Sequence, residues 1–263
     1  MKNNAIIIFH LSTGDNFTSF ALVLNFYENY ENIHIFSLFR NYKFVKQLYK
    51  KYPKIIIHIL DEKYNYYITN NNTIIDTVNK LNQDCDIIRV GEGGTDWNKY
   101  IGNIIFYRTF YLQAGLDYEI RYKYTDFERN NEKENENYNL LINKYGKKYI
   151  FLHDHRNIFY DHYCKRKDIN ITSDIPIFHP NINYYSDNTN TYYNLWDKDL
   201  YFDNILDYCK IIENATELHL TDSSFSCLCP YLNLNNVSKK YIYTKYNIID
   251  YHRAFNDWII INV

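Results

Sequence analysis

From Ala5 to Gln113 the chain alternates short β-branched runs with segments of helical apolar spacing, and few architectures accommodate that order. Ala5 to Leu11 reads as a strand that ends in Ser12-Thr13-Gly14-Asp15. Phe17, Phe20, Ala21, Leu24 and Phe26 then fall on one helical face. Ile33 to Phe39, Ile55 to Leu60 and Asp86 to Val90 read as three further strands. Helices marked by Phe44, Val45 and Leu48, by Ile74 to Leu81, and by the aromatic run Trp97 to Gln113 stand after them. Strands joined through helices by short connections predict a parallel sheet covered on both faces.

The pattern then repeats after an interruption. Glu128-Arg-Asn-Asn-Glu-Lys-Glu-Asn-Glu-Asn137 is a polar run, either a solvated helix face or a linker, with a helix continuing through Tyr138 to Leu141 the favoured reading. Lys147 to Leu152, Ile175 to Phe178, Glu217 to Thr221, Lys240 to Thr244 and Trp258 to Ile261 read as a second series of strands. Asn181 to Asn194 reads as a loop, and Phe202 to Ile212 as a helix feeding the Glu217 strand. The expectation is an α/β protein of two Rossmann-like domains, 1–145 and 146–263, each a parallel sheet flanked by helices.

Composition excludes several classes. The chain has 263 residues, 46% hydrophobic and 23% charged with net charge −2, which fits a folded protein and offers no basic excess for nucleic acid. Its Asn, Ile, Lys and Tyr content follows AT-rich codons, so single Asn or Tyr residues carry little functional weight. No apolar run approaches the length of a membrane span, and the run near the N-terminus is too short for a signal peptide. The five cysteines are scattered, and reduced thiols in a cytoplasmic compartment are the expectation.

Ligands in open α/β sheets bind beyond the carboxyl ends of the strands. Those ends carry His10 with Gly14-Asp15, Arg40, Asp61, Arg89 with Glu92, His153-Asp-His-Arg156, His179, and Asp222-Ser-Ser224. Gly14 suits a tight turn, and Asp15 is either a helix N-cap or a carboxylate facing a ligand. Asp222, Ser223 and Ser224 stand where a strand runs into a helix. They are either plain capping residues or a phosphate cradle of backbone N–H groups at the positive end of the helix dipole. Neither a G-x-G-x-x-G nor a G-x-x-x-x-G-K-[ST] motif is present. His153-Asp-His155 on a strand would put two imidazoles on one face, but no further ligand motif accompanies it, so no metal site is predicted. Arg156 instead suits bidentate contact with a diphosphate.

Three segments together resemble a known family. His10-Leu-Ser-Thr-Gly-Asp-Asn-Phe-Thr-Ser-Phe20 resembles the Gly-Asp turn of GT-B glycosyltransferases related to the heptosyltransferases. Tyr149-Ile-Phe-Leu-His-Asp-His-Arg156 resembles the first strand of their C-terminal domain. Leu218-His-Leu-Thr-Asp-Ser-Ser-Phe-Ser-Cys-Leu-Cys229 is similar to their Thr-Asp-Ser-Gly-x-x-His donor loop. The segment from Phe202 to Glu217 resembles uncharacterised glycosyltransferases of marine bacteria and large DNA viruses. Ser224 stands in place of the family's Gly, and Cys227 near the place of its His.

The resemblance implies a GT-B-like pair of domains, the first for the acceptor and the second for a nucleotide-sugar donor bound between them. It implies transfer of a sugar from a nucleotide diphosphate to a glycan or other hydroxyl acceptor. By position Asp15 becomes the general base, and Asp222, Ser223 and Ser224 with Arg156 hold the diphosphate. His10, Gly14, Glu92 and His153 remain further candidates for the cleft. No cofactor beyond the nucleotide-sugar substrate is implied, and no D-x-D pair stands where a manganese-dependent transferase would need one. The cytoplasm, including that of a host if the gene is viral, is the expected location. A catalytically silent module binding glycan or protein is the alternative, with a sugar-nucleotide epimerase as a third reading.

Overall fold

The computed structural model describes residues 3–9, 11–60, 72–81, 85–91, 106–154, 169–180, 200–221, 223–244 and 256–263. The chain divides into two compact units, Met1–Glu128 and Arg129–Val263. Each has its own parallel sheet, so the expected α/β class of two Rossmann-like units is present.

The first unit contains β1 (Asn4–Ile8), α1 (Thr13–Tyr27), β2 (Asn32–Leu38), α2 (Tyr42–Leu48), β3 (Ile55–Leu60), α3 (Asn72–Leu81), β4 (Cys85–Arg89) and α4 (Phe106–Gln113). Its sheet has the order β3-β2-β1-β4 with every pairing parallel. Central β1 is an unbroken apolar run because both of its faces are covered: Ile6, Ile7 and Ile8 are at most 1% exposed. Each such side chain contributes roughly 1.5–3 kcal/mol by leaving water. Helix α1 is buried along most of its length from Asp15 to Leu24, and the Tyr111 hydroxyl of α4 donates to the Thr18 carbonyl at 2.8 Å.

One polar pair interrupts the apolar strands. His34 Nδ1 on β2 lies 2.8 Å from His58 Nε2 on β3, with the rings stacked at 5.1 Å. Burial, then the neighbouring His58 and Lys80 charges, push His34 down from 6.5 to about 4, and burial with Lys80 also lowers His58. Between these values the unfolded chain takes up more protons than the folded one. The stability that the neutral pair contributes is therefore complete above pH 6.5 and is lost as pH falls toward 4. Urea midpoints should drop between pH 7 and pH 5 in the wild type, and a His34→Phe, His58→Phe double variant should flatten that drop. An equally steep fall in the double variant would assign the acid sensitivity to other groups.

The second unit contains α5 (Asn131–Tyr145), β5 (Ile150–His153), β6 (Ile177–Phe178), α6 (Cys209–Glu213), β7 (Glu217–Thr221), α7 (Ser224–Leu228), β8 (Lys239–Thr244) and β9 (Ile259–Asn262). The order is β6-β5-β7-β8-β9, again all parallel. Renumbered within the unit this is 2-1-3-4-5, the second common doubly wound order.

Three expectations need correction here. The break expected near residue 145 falls at the end of α5, whereas the compact units part before that helix. The reason is that α5 buries Glu134, Asn137 and Leu141, and Asn137 Nδ2 donates to the Asp207 carbonyl of the second unit at 3.4 Å. The polar run is thus a helix, as expected, but one with a buried face. The helix expected from Phe202 to Ile212 is a 3-10 turn, Ile205–Tyr208, that passes into the short α6. Of the helix expected from Trp97, the part before Phe106 lies outside the described residues, as does the loop from Asn181 to Asn194.

Candidate functional site

In the first sheet the chain order reverses between β1 and β4, so the favoured ligand position lies beyond the carboxyl ends of those strands. The β1–α1 connection occupies that edge. Ser12, in extended conformation, is the N-cap of α1, and its Oγ accepts the Asp15 N–H at 3.3 Å. This overturns both the N-cap reading of Asp15 and the tight-turn reading of Gly14. Ser12-Thr-Gly-Asp15 has capping-box spacing, so the helix starts three residues earlier than an Asp15 cap would place it. Gly14 is helical, and the described glycines with positive φ are Gly91, Gly115 and Gly146.

Asp15 therefore sits in the first turn of a 15-residue helix, 6% exposed, where the dipole stabilises a negative group by roughly 0.3–1 kcal/mol. Two side chains absent from the sequence reading fix the surrounding backbone. Asn41, in the turn after β2, donates to the Leu11 carbonyl at 2.6 Å and accepts from Thr13 Oγ1 at 3.3 Å. Gln113 at the end of α4 accepts the N–H of Gly91, whose φ of 74° lies in the left-handed region that favours glycine.

In the second sheet the reversal lies between β5 and β7. There the structure brings His153 and Ser223 together: His153 Nδ1 is 3.0 Å from Ser223 Oγ, although 70 residues separate them. The His153 ring also packs on Phe225 with centroids 4.5 Å apart. Phe225 in turn meets Phe151 and Tyr208 edge-on, an aromatic base that holds the edge in shape. Ser223 is the N-cap of α7 and forms a capping box with Ser226. Its own N–H donates to Ser226 Oγ at 2.9 Å. The expected use of the Ser223 N–H as a phosphate donor is corrected accordingly, because Ser226 already takes it. The N–H groups of Ser224 and Phe225 have no acceptor within the helix, since they belong to its first turn.

Helix α7 is only five residues long and passes into a 3-10 turn, Cys229–Tyr231, with Pro230 in its first positions. Cys227 and Cys229 are both buried, and the described cysteines form no disulfide. Burial pushes the Cys229 thiol up, away from reactivity.

Of the two imidazoles of His153-Asp-His155, His153 ends β5 and His155 lies outside the described residues. Asp154 is wholly buried, with Oδ1 3.0 Å from His179 Nε2. No group of three metal-ligating side chains occurs among the described residues. Asp84-Cys85-Asp86 has D-x-D spacing; Asp84 lies outside the described residues, and Asp86, the second residue of β4, accepts the Tyr30 hydroxyl at 2.9 Å. His10, Glu92, Arg156, Asp222 and the second pair of that spacing, Asp197-Lys-Asp199, lie outside the described residues.

No protein-family model matches the chain, and no curated protein matches it. Among solved structures it is similar to a glycosyl transferase family 9 protein from Veillonella parvula DSM 2008. The likeness has a TM-score of 0.58 at 9% identity and covers 99% of this chain and 86% of that one. The fold is thus shared over nearly the whole chain, including both sheet edges described above. No helix among the described residues is long and apolar enough to cross a membrane.

Proposed function

We propose that this protein is a metal-independent glycosyltransferase that moves a sugar from a nucleoside diphosphate to a glycan or other hydroxyl acceptor. The observation that carries the reading is the shared fold with a glycosyl transferase family 9 protein over 99% of the chain. The polar clusters at the two reversal points of the sheets agree with it. Asp15 takes the proton from the acceptor hydroxyl on the first unit, whose edge holds the acceptor. On the second unit the N–H groups of Ser224 and Phe225, the Ser223 hydroxyl and His153 meet the diphosphate of the donor, with Asp222 and Arg156 beside them in the chain. Donors aimed at a departing diphosphate stabilise the charge that develops as the glycosidic bond breaks.

The test is a melting-temperature screen against UDP, GDP, ADP, CMP and dTDP with EDTA present. A nucleotide at 100 times its Kd adds about 2.7 kcal/mol of stability, a readily visible shift. No shift with any of the five would favour a silent binding module instead, and a shift only after Mn²⁺ or Mg²⁺ is restored would reject metal independence.

Ser224 distinguishes a phosphate cradle from a simple cap. Ser224→Ala should leave nucleotide affinity intact, since it keeps the backbone N–H and Ser223 does the capping. Ser224→Phe should abolish diphosphate binding in a folded protein by filling the approach to that N–H. Unchanged affinity in a folded Ser224→Phe protein would remove this turn from the site.

A further inference from the structure

Strand β3 ends the first sheet, and its outer side lacks the devices that usually guard such an edge. Among the described residues no strand lies beyond it. Edge strands are commonly blunted by lysine, proline or a bulge. Ile55-Ile-Ile-His-Ile-Leu60 has no lysine and no proline, and its register with β2 runs unbroken from Ile33↔Ile55 to Leu38↔Leu60. Ile56 is 38% and Ile59 is 42% exposed, on opposite faces of the strand. His58 is its one titratable side chain, and burial with the Lys80 charge favours the neutral ring.

Hydrogen bonding fixes which backbone groups point outward. The Ile33 N–H donates to the Lys54 carbonyl at 2.9 Å, so Lys54 faces β2. Backbone groups alternate sides along a strand, so Ile56, His58 and Leu60 also face β2, and Ile55, Ile57 and Ile59 face away. The Ile55 N–H is taken by the Tyr52 carbonyl at 3.0 Å. The N–H and C=O groups of Ile57 and Ile59, with the Ile55 C=O, remain for a strand alongside.

We infer that two copies of this chain pair antiparallel through β3, about a twofold axis at His58, and so join their first sheets into one. A twofold pairing within one sheet keeps each face on its own side, so the axis passes through a residue rather than between two. With the axis at His58, Ile57 and Ile59 exchange both backbone bonds with Ile59 and Ile57 of the second copy. Ile56 then lies opposite Leu60 of that copy, and the two His58 side chains meet at the axis, so like faces like throughout. An axis at Ile57 would set Ile56 against His58 instead. The pairing uses no residue assigned to sugar transfer. One strand pair buries less than a standard interface, which makes the association concentration-dependent.

Sedimentation velocity of the full chain from about 1 to 100 μM should show a reversible monomer–dimer equilibrium. Ile59→Lys puts an ammonium on the edge and should weaken dimerisation about 10-fold or more. Ile56→Lys replaces it if that variant does not fold. Mild oxidation reads the register, with the wild type as control for the native cysteines. His58→Cys should crosslink, since residues opposed at such a position have Cα atoms about 4.5 Å apart. Ile56→Cys should not, because the two copies of that residue are offset by about 13 Å along the strand. If His58→Cys does not fold, Ile57→Cys mixed with Ile59→Cys should give the crosslink. A monomer at every concentration overturns the inference, and so does a dimer that the lysine variants leave unchanged. A dimer without these crosslinks, or one joined through position 56, overturns the pairing about His58.

Discussion

Asp15→Asn is expected to stay folded, bind donor nucleotide normally, and lose sugar transfer by at least about 100-fold. An acceptor hydroxyl holds its proton far above neutral pH, so a transfer that uses it as nucleophile gains from a base set against it. A positioned carboxylate supplies typically 10²–10⁴-fold. Asparagine keeps the size of the side chain and leaves the cap in place, since Ser12 caps the helix and Asp15 enters that cap through its backbone N–H. The charge–dipole part of the structural cost is roughly 0.3–1 kcal/mol. Initial rates with an excess of donor, beside melting curves of the same preparation, separate the two effects. Turnover near the wild-type rate would make Asp15 a helix-start residue and pass the role of base to Glu92 or His10.

Asp15 also shows where sequence reasoning reached and where it stopped. Its place at the end of β1 was legible, because Ala5-Ile-Ile-Ile8 can only be a strand buried on both faces in this setting. Its exact role in the helix start was not, since Ser12 and Asp15 compete for the cap and only the backbone geometry decides. The same limit applies at the second edge. His153, Asp154 and His155 read as a local cluster, yet the fold sends His153 to Ser223 and Asp154 to His179. Such pairings depend on strand order, and periodicity carries the existence of strands but not their neighbours. Asn41 and Gln113 were invisible for a related reason: each is an ordinary polar residue until a distant backbone group comes within reach. In α5 the buried face is made by Glu134, Asn137 and Leu141, so an apolar pattern could not reveal it.

That hidden face leads to the largest expected loss of stability. Arg129 Nε donates to Glu134 Oε1 at 2.7 Å, and its Nη1 and Nη2 donate to the two carboxylate oxygens of Glu213 at 2.9 and 3.0 Å. Its Nη2 also bonds Glu134 Oε2, so one guanidinium clamps two carboxylates. The Glu134 side chain is 2% exposed, whereas Arg129 and Glu213 are partly open at 24% and 17%. Arg129→Ala leaves Glu134 buried with its cation gone, a change that costs on the order of 3–5 kcal/mol. A loss of that size should lower the melting temperature of the second unit by about 10 °C or more. Arg129→Lys should fall between, because a single ammonium cannot reproduce the fork that spans both carboxylates. Replacing Arg129, Glu134 and Glu213 together by methionine should recover much of the loss, since the cost lies in the stranded charge rather than in the missing attraction. Should Arg129→Ala cost less than about 1 kcal/mol, the clamp behaves as a surface ion pair and Glu134 must find solvent or another donor in the variant. Comparing the single and triple variants by urea denaturation decides between these outcomes. The same data would show whether α5 is held to its unit by charge or by the packing of Leu141.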